Sequence, residues 1–359
     1  MKKVPVNLQD DDLSRYLAKV GLIRISQGKV RDTWSLKNVL GHDNYLLVVA
    51  TDRISIYDYV LNALIPKKGE VLTALTHFWL NLLTGFENHL ILSKLEAGYN
   101  FAYDLREDYL FELPVERCLV VKNLTGKMYP AEMIFRAHIG GSVWPEYQKN
   151  GIVAGQQLPI GLPKWSKLPE ATFTPSTKEE FGNDINKDVD YFYSVMDSLS
   201  LKTEAEEVVA MLKEVYGIAY KYAEDRGILI LDTKFEVAGK ILADEILTPD
   251  SSRFALKEDC EEAIAKGRDP YFHDKQPIRD WGATVPTPFS DGKGGLITGL
   301  NKLKSESPEY LDYIEFAQKV EVPETVISEA SARYLGIVEM ITGDTLKYYQ
   351  AEKMGARLG

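Results

Sequence analysis

The sequence predicts an α+β protein of two lobes, built on antiparallel sheets and closed by a C-terminal helical extension. Strand-like runs come in neighbouring pairs joined by short connections, as hairpins do, instead of alternating singly with helices. One long segment, 203–226, carries a helical apolar period, and a further helical pattern over 324–357 follows the last strand-like run. A chain of 359 residues is long enough for two domains, or one large one with elaborations, and for a substantial buried core.

Taken in order, LIRISQGKVRDTWSL (22–36) and NYLLVVATDRISIYDYVL (44–61) are β-branched and partly alternating, which predicts an antiparallel pair turning at Gly41-His42-Asp43-Asn44. EVLTALTHFWLNLLTG (70–85) has apolar residues at helical spacing, with Gly85 placed to end the helix. RCLVVKNL (117–124) and MIFRAHI (133–139) read as strands around the connection TGKMYP, which marks a lobe boundary after residue 126. From 155 to 175 the density of Pro, Gly and Lys predicts a loop. The helix over 203–226 lays Val208, Val209, Met211, Leu212, Val215, Ile218, Ala219 and Tyr222 on one face, and Gly227 stops it. ILILDTKFEVAGKILADEIL (228–247) then reads as two strands joined at Ala238-Gly239-Lys240, and DGKGG (291–295) as a flexible loop.

Composition narrows the function. The chain is 45% hydrophobic and 26% charged, the balance of a globular protein. A net charge of −11, with no run of Lys or Arg longer than two, argues against a nucleic-acid partner, which demands a basic face. No apolar stretch approaches the length of a membrane span, and the N-terminal MKKVPVNLQDDD lacks the apolar core of a secretory signal, so the expected compartment is the cytoplasm. Cys118 and Cys260 are too few and too far apart for a disulfide framework or a zinc site, and read as two buried thiols. The five histidines show no ligand spacing, and neither a Walker A loop nor a G-x-S-x-G elbow occurs.

The chemistry sits elsewhere. Strand alternation places Asp232, Lys234 and Glu236 on one face and Thr233, Phe235 and Val237 on the other. With a three-residue turn centred on Gly239, Asp244 falls opposite Lys234 and diagonal to Glu236, so two carboxylates could share a divalent ion. A solvated face laced with cross-strand salt bridges fits the same pattern. FRAHIGGS (135–142) sets Arg136 and Ser142 around two glycines, small enough for a backbone to approach a phosphate. TPDSSR (248–253) has the Pro and hydroxyls that open a helix, whose free N–H groups favour an anion, with Arg253 adding a charged fork. TPSTK (174–178) repeats that chemistry with Ser176, Thr177 and Lys178. Either stretch can equally be a simple cap. Lys29 and Arg31 in QGKVRD (27–32) project together beside a glycine, as anion ligands or as an exposed basic pair.

In the same order along the chain, GKVRD (28–32), TDRISIYD (51–58), FRAHIGGSVWPEY (135–147), TPSTK (174–178), LDTKFEVAG (231–239), ADEILTPDSSRF (243–254) and HDKQPIRDW (273–281) resemble the motifs of the SAICAR synthetase family. The resemblance covers roughly 20–285, and with the boundary at TGKMYP it implies lobes of 1–126 and 127–285 and a C-terminal extension over 286–359. It implies an ATP-grasp-like α+β fold with nucleotide between a smaller N-terminal lobe and a larger second one. It further implies an ATP- and Mg²⁺-dependent ligase that joins carboxyaminoimidazole ribotide to L-aspartate. By this likeness Gly28, Lys29, Val30 and Arg31 cover the ATP phosphates, and Lys122, Met128 and Glu132 lie on the nucleotide side. Glu236 and Asp244 are the metal carboxylates. Arg136, Ser142, Asp250, Ser251 and Arg253 hold the ribotide, Ser176, Thr177 and Lys178 face the aspartate, and Lys234 and Asp232 position phosphates or assist deprotonation of the amine. The chain departs from the pattern in GNDIN (182–186), where the family has a His-Asp pair, in FEVAG for FEFG, and in RFA for RFW. A kinase on the related inositol-phosphate-kinase fold and a non-catalytic nucleotide-binding regulator are the alternative readings. Oligomeric state is left open.

Overall fold

The computed structural model describes residues 12–91, 116–178 and 185–356. The strands in chain order are β1 (Ile23–Gln27), β2 (Arg31–Ser35), β3 (Tyr45–Ala50), β4 (Arg53–Ile56), β5 (Tyr59–Leu64), β6 (Cys118–Lys122), β7 (Ala131–His138), β8 (Ile152–Val153), β9 (Gln156–Gln157), β10 (Lys167–Phe173), β11 (Ser176–Thr177), β12 (Ile228–Ala238), β13 (Ile241–Ala243), β14 (Ser252–Leu256), β15 (Pro286–Ser290) and β16 (Leu296–Thr298). Two antiparallel sheets dominate, one ordered β1-β2-β3-β6 and a larger one running β10-β7-β12-β13, with β11 added to β7 and β14 to β12.

Period-2 alternation makes the larger sheet two-faced. Phe135 of β7 and Phe235 of β12 point inward, and both are fully buried with Val208, Leu212, Val215 and Tyr216 of the helix Lys202–Glu224. The register Asp232↔Arg136 and Lys234↔Ile134 therefore sends Glu132 and Arg136 to the opposite face, beside Asp232 and Lys234. The first sheet buries Trp34, Leu47, Val49 and Val120 with Leu17 of the helix Asp12–Lys19. The helix Lys68–Leu82, ended as expected just short of Gly85, shares the core of the larger sheet and of the C-terminal helices Glu324–Thr342 and Leu346–Met354. Cys118 and Cys260 are both buried thiols, as expected.

Several expectations are corrected. The run 22–36 is not one strand but the hairpin β1/β2, turning at Gly28-Lys29-Val30, because the turn's anchors lie far off in sequence: Arg53 donates to Gly28 O at 3.0 Å and Thr51 Oγ1 to Val30 O at 2.7 Å. The expected loop over 155–175 contains β10; its register breaks between Lys167 and Thr172, around Pro169, which an irregular edge strand tolerates. The β12/β13 hairpin closes on two residues, Gly239 and Lys240, so Ala238 pairs Ile241 and the register moves by one from the expected one. Asp244 is thus past the ladder, on left-handed backbone at φ +56°. TPDSSR opens β14 and no helix; Thr248 and Ser251 close a tight turn on each other. The tail is two helices separated at Gly343, φ +78°. In the long helix, Ile218 faces solvent.

Three buried histidines give the fold a pH dependence. Burial holds His89, His138 and His273 neutral and brings each down to about 4. The unfolded chain then binds more protons than the folded one between about 6.5 and 4, so this stabilisation is present above pH ~6.5 and is lost as pH falls through ~4. The urea midpoint should drop across that window. A midpoint that stays flat, with His138→Gln no different from the parent, would contradict neutral buried imidazoles.

Candidate functional site

The charged face of β7 and β12 carries two adjoining clusters. In the first, Arg136 on β7 and Arg253 on β14 flank Asp232 on β12, because the register sets both arginines directly opposite it. Their guanidiniums donate to the same oxygen, Asp232 Oδ2, at 2.6 and 2.5 Å. Although burial opposes ionisation, the two arginines hold the Asp232 carboxyl below its ordinary range. Two cations on one carboxylate leave a net positive charge, pointed at the turn Gly140-Gly141-Ser142. Arg136 Nη2 donates to Ser142 Oγ at 3.1 Å, and its Nε to Thr174 Oγ1 at 3.0 Å.

The two glycines of that turn have distinct causes. A Cβ on Gly140 would stand 2.3 Å from the Trp165 ring, and Gly141 takes φ +63° with both guanidiniums within 3.3 Å of where its Cβ would be. Asn186, from the departing GNDIN stretch, touches Ser142 at 3.5 Å; Gly182, Asn183 and Asp184 lie outside the described residues.

The second cluster gathers Arg31, Glu132, Lys178, Lys234, Glu236 and Asp244. Lys234 pairs Glu132 at 2.6 Å and lies 3.6 Å from Glu236, which Lys178 also contacts. Arg31, at the start of β2, reaches Asp244 at 2.6 Å and Glu245 at 2.9 Å. Despite burial, the Lys234 and Lys178 ammoniums hold Glu236 below its usual range. Asp244 goes the other way. Burial and the nearby Glu236 and Glu245 carboxylates push it up to about 6, against the pull of Arg31. Its left-handed backbone, strained for a non-glycine residue, holds it there.

Among the described residues no group of three or more His, Cys, Asp or Glu forms a ready metal cage. The donor set nevertheless suits Mg²⁺, which takes one or two carboxylates and completes its shell with waters and substrate phosphates. Carboxylates crowded enough to raise Asp244, with amino and guanidinium groups resting on them, are short of positive charge in the way such an ion would relieve.

The remaining residues fall around these clusters. Gly28, Lys29 and Val30 form the β1/β2 turn, with Lys29 paired to Asp58 and Arg53 locked on the buried Asp32. Lys122 ends β6 and pairs Glu87 at 2.8 Å, and Met128 packs on Leu124 and Ala238. Ser176 donates to Glu132 at 3.1 Å, and Thr177 Oγ1 accepts from the Ile185 amide at 3.0 Å. Of the expected ribotide ligands, Asp250 is paired with the fully buried Lys68 at 2.7 Å, and Ser251 Oγ accepts from the Thr248 amide at 3.1 Å. Asp232, expected with Lys234 to position phosphates or assist deprotonation of the amine, stands in the arginine cluster between Arg136 and Arg253. Residues missed in the sequence include Glu245, Lys275, Asp274 and Arg279; the last three lie in HDKQPIRDW, where polar spacing could have raised them, and Asp274 and Arg279 pair at 3.6 Å.

The SAICAR synthetase family model matches residues 24–293. A Desulfotalea psychrophila protein named phosphoribosylaminoimidazole-succinocarboxamide synthase is 38% identical over 328 residues, covering 89% of this chain and 95% of the relative. One of the same name from Schizosaccharomyces pombe is 35% identical over 341 residues, covering 90% and 96%. Among solved structures, the SAICAR-synthase of Saccharomyces cerevisiae complexed with SAICAR superposes with TM-score 0.66 at 31% identity, covering 90% of this chain and 96% of that one.

Proposed function

The chain belongs to the SAICAR synthetase family, and from that premise we propose how its residues divide the work of the family's reaction. The protein is a phosphoribosylaminoimidazole-succinocarboxamide synthase, an ATP-dependent ligase of purine biosynthesis joining carboxyaminoimidazole ribotide to L-aspartate. The relatives reported above are all named as synthases, which favours the ligase over the kinase or the regulator.

The observation that carries the residue assignment is the pairing of an arginine-rich cluster with a carboxylate-rich one on a single sheet face. Arg136, Arg253 and Ser142 take the ribotide phosphate. Gly28, Lys29, Val30 and Arg31 close over the ATP phosphates, with Lys122, Met128 and Glu132 on the nucleotide side. Glu236 and Asp244 hold Mg²⁺, which when bound neutralises charge on the phosphates. Ser176 and Thr177, on β11 beside Glu132, and Lys178, just after it, face the aspartate. Asp250 and Ser251 shape the loop behind Arg253, and Asp232 spaces the two arginines.

A carboxylate resists attack by an amine. Transfer of the γ-phosphoryl group to the ribotide carboxylate, with ADP leaving, gives an acyl phosphate; the aspartate amine then adds at carbon, phosphate departs and the amine proton is lost. Lys234 belongs to the carboxylate cluster and stands two residues along β12 from Asp232 of the arginine cluster, so its ammonium stabilises charge on the transferring group without any protein nucleophile. The lobes divide at 1–126 and 127–285, with 286–359 as an extension. No helix among the described residues is long and apolar enough to cross a membrane, and a cytoplasmic location suits substrates of this kind.

ADP release tests the reaction. With ATP and Mg²⁺ present it should require both ribotide and aspartate and match product formed. Release without aspartate would favour a kinase, and none at all would favour the regulator.

A further inference from the structure

Residues 294–356 lie beyond the stretch matched by the family model, and two of them grip the strand that carries Arg253. In the helix Glu324–Thr342, the fully buried Tyr334 donates its hydroxyl to Asp250 Oδ1 at 2.5 Å. The other oxygen of Asp250 meets Lys68 Nζ at 2.7 Å, and Lys275 stands at 3.9 Å. Lys68 in turn lies 5.8 Å from the centroid of the Tyr334 ring. A lysine with no exposure must be paired, and the pair is worth having only if every remaining acceptor is met. The Tyr334 hydroxyl meets one of them. Asp250 is thereby fixed three residues before Arg253.

The residue next to it holds the far side. Arg333 donates to Phe272 O at 2.8 Å and stacks 3.7 Å from the Tyr271 ring centroid. Phe272 bridges Ala255, and the His273 amide donates to Phe254 O at 2.8 Å. Arg253 thus sits on a short strand whose preceding turn is tied by Tyr334 and whose following residues are tied, through 272–273, by Arg333. Ser331, in the same helix, donates instead to Pro66 O at 2.8 Å and touches neither tie.

We propose that Tyr334 is a positioning residue for ribotide binding: through Asp250 it fixes the Thr248–Ser251 turn and so the aim of the Arg253 guanidinium at the ribotide phosphate. This rests on the reading of Arg253 as a phosphate ligand. Tyr334 is fully buried behind Asp250, so it acts through that residue on affinity for one substrate and leaves the phosphoryl chemistry alone.

The test is steady-state kinetics of Tyr334→Phe in the full chain, varying ribotide and ATP separately, with melting temperatures alongside. Loss of one hydrogen bond to a buried charge should raise the ribotide KM about tenfold, with kcat and the ATP KM within about twofold. Arg333→Lys, which loosens the other tie, should raise the ribotide KM in the same selective way, and Ser331→Ala should leave it unchanged. On an Arg253→Ala background, Tyr334→Phe should add nothing, since the group it aims is gone. Equal rises in both KM values, an additive effect in the double variant, or a Tyr334→Phe chain that does not fold while Arg333→Lys leaves the ribotide KM untouched would each overturn the proposal. If Arg253→Ala raises the ribotide KM and Tyr334→Phe does not, this inference alone falls. If Arg253→Ala has no effect, the phosphate reading fails and takes the inference with it.

Discussion

Glu236→Gln and Asp244→Asn should each remove turnover, by about a thousandfold or more, while the protein stays folded. An ion stabilising charge on transferring phosphates supplies several kcal/mol, and each 1.4 kcal/mol is about tenfold in rate. The two variants differ in what they do to the unliganded protein. Glu236 is held ionised by Lys234 and Lys178, so Gln at 236 leaves Lys178 without its carboxylate and Lys234 with Glu132 alone, and stability should fall. Asp244 is pushed up to about 6 by burial and by its carboxylate neighbours. A folded carboxyl raised above its unfolded value means that the native state binds more protons between about 4 and 6, so stability declines as pH rises through that window. Asn at 244 escapes that decline and should melt higher than the parent at pH 7.5 without Mg²⁺, Arg31 keeping Glu245 as its partner. Mg²⁺ should raise the parent's melting temperature and leave that of Asp244→Asn unmoved. Near-normal turnover in either variant would take that residue out of the metal site.

What could be read ahead of the structure was what alternates or repeats locally. The charged row Asp232, Lys234, Glu236 follows from period 2 alone, and its opposite face, with Phe235 and Val237, is buried against the long helix as alternation requires. The helices over 68–82 and 202–224 follow from apolar spacing and a terminal glycine. What could not be read was set by partners far away. The GKVRD turn exists because Arg53 and Thr51 hold its carbonyls, and nothing within 22–36 signals them. The placement of Asp244 depends on a turn one residue shorter than expected and on Arg31, 213 positions away. Hydroxyls in TPDSSR suggested a helix cap, since Ser and Thr favour such ends, but the same hydroxyls close a turn onto themselves just as well. The motif around Asp250 says nothing of Lys68, 182 positions earlier, and only the fold reveals that the two are paired.

The asymmetry of the two arginines gives the second large effect. Both donate to one oxygen of Asp232, yet Arg136 is almost completely enclosed while Arg253 retains about a fifth of its surface, 22%. Removing Arg136 strips the interior of a cation that also anchors Thr174 and Ser142, and leaves Asp232 with one partner, so Arg136→Ala should cost about 3 to 5 kcal/mol of stability, in the range for breaking a buried pair. Arg253→Ala leaves Asp232 paired with Arg136 and so spares the fold. What it removes is the surplus positive charge: two guanidiniums on one carboxylate become a neutral pair, with nothing left over for an anion. Ribotide affinity should therefore fall by about 2 to 5 kcal/mol, the cost of truncating one member of a desolvated charge pair, while the ATP KM changes little. Isothermal titration of ribotide into each variant, with ATP as the parallel ligand, separates the cases. Equal weakening of both ligands by Arg253→Ala would move the phosphate away from this cluster. A folded Arg136→Ala that binds ribotide normally would make Arg136 a structural partner of Asp232 and leave Arg253 as the phosphate group.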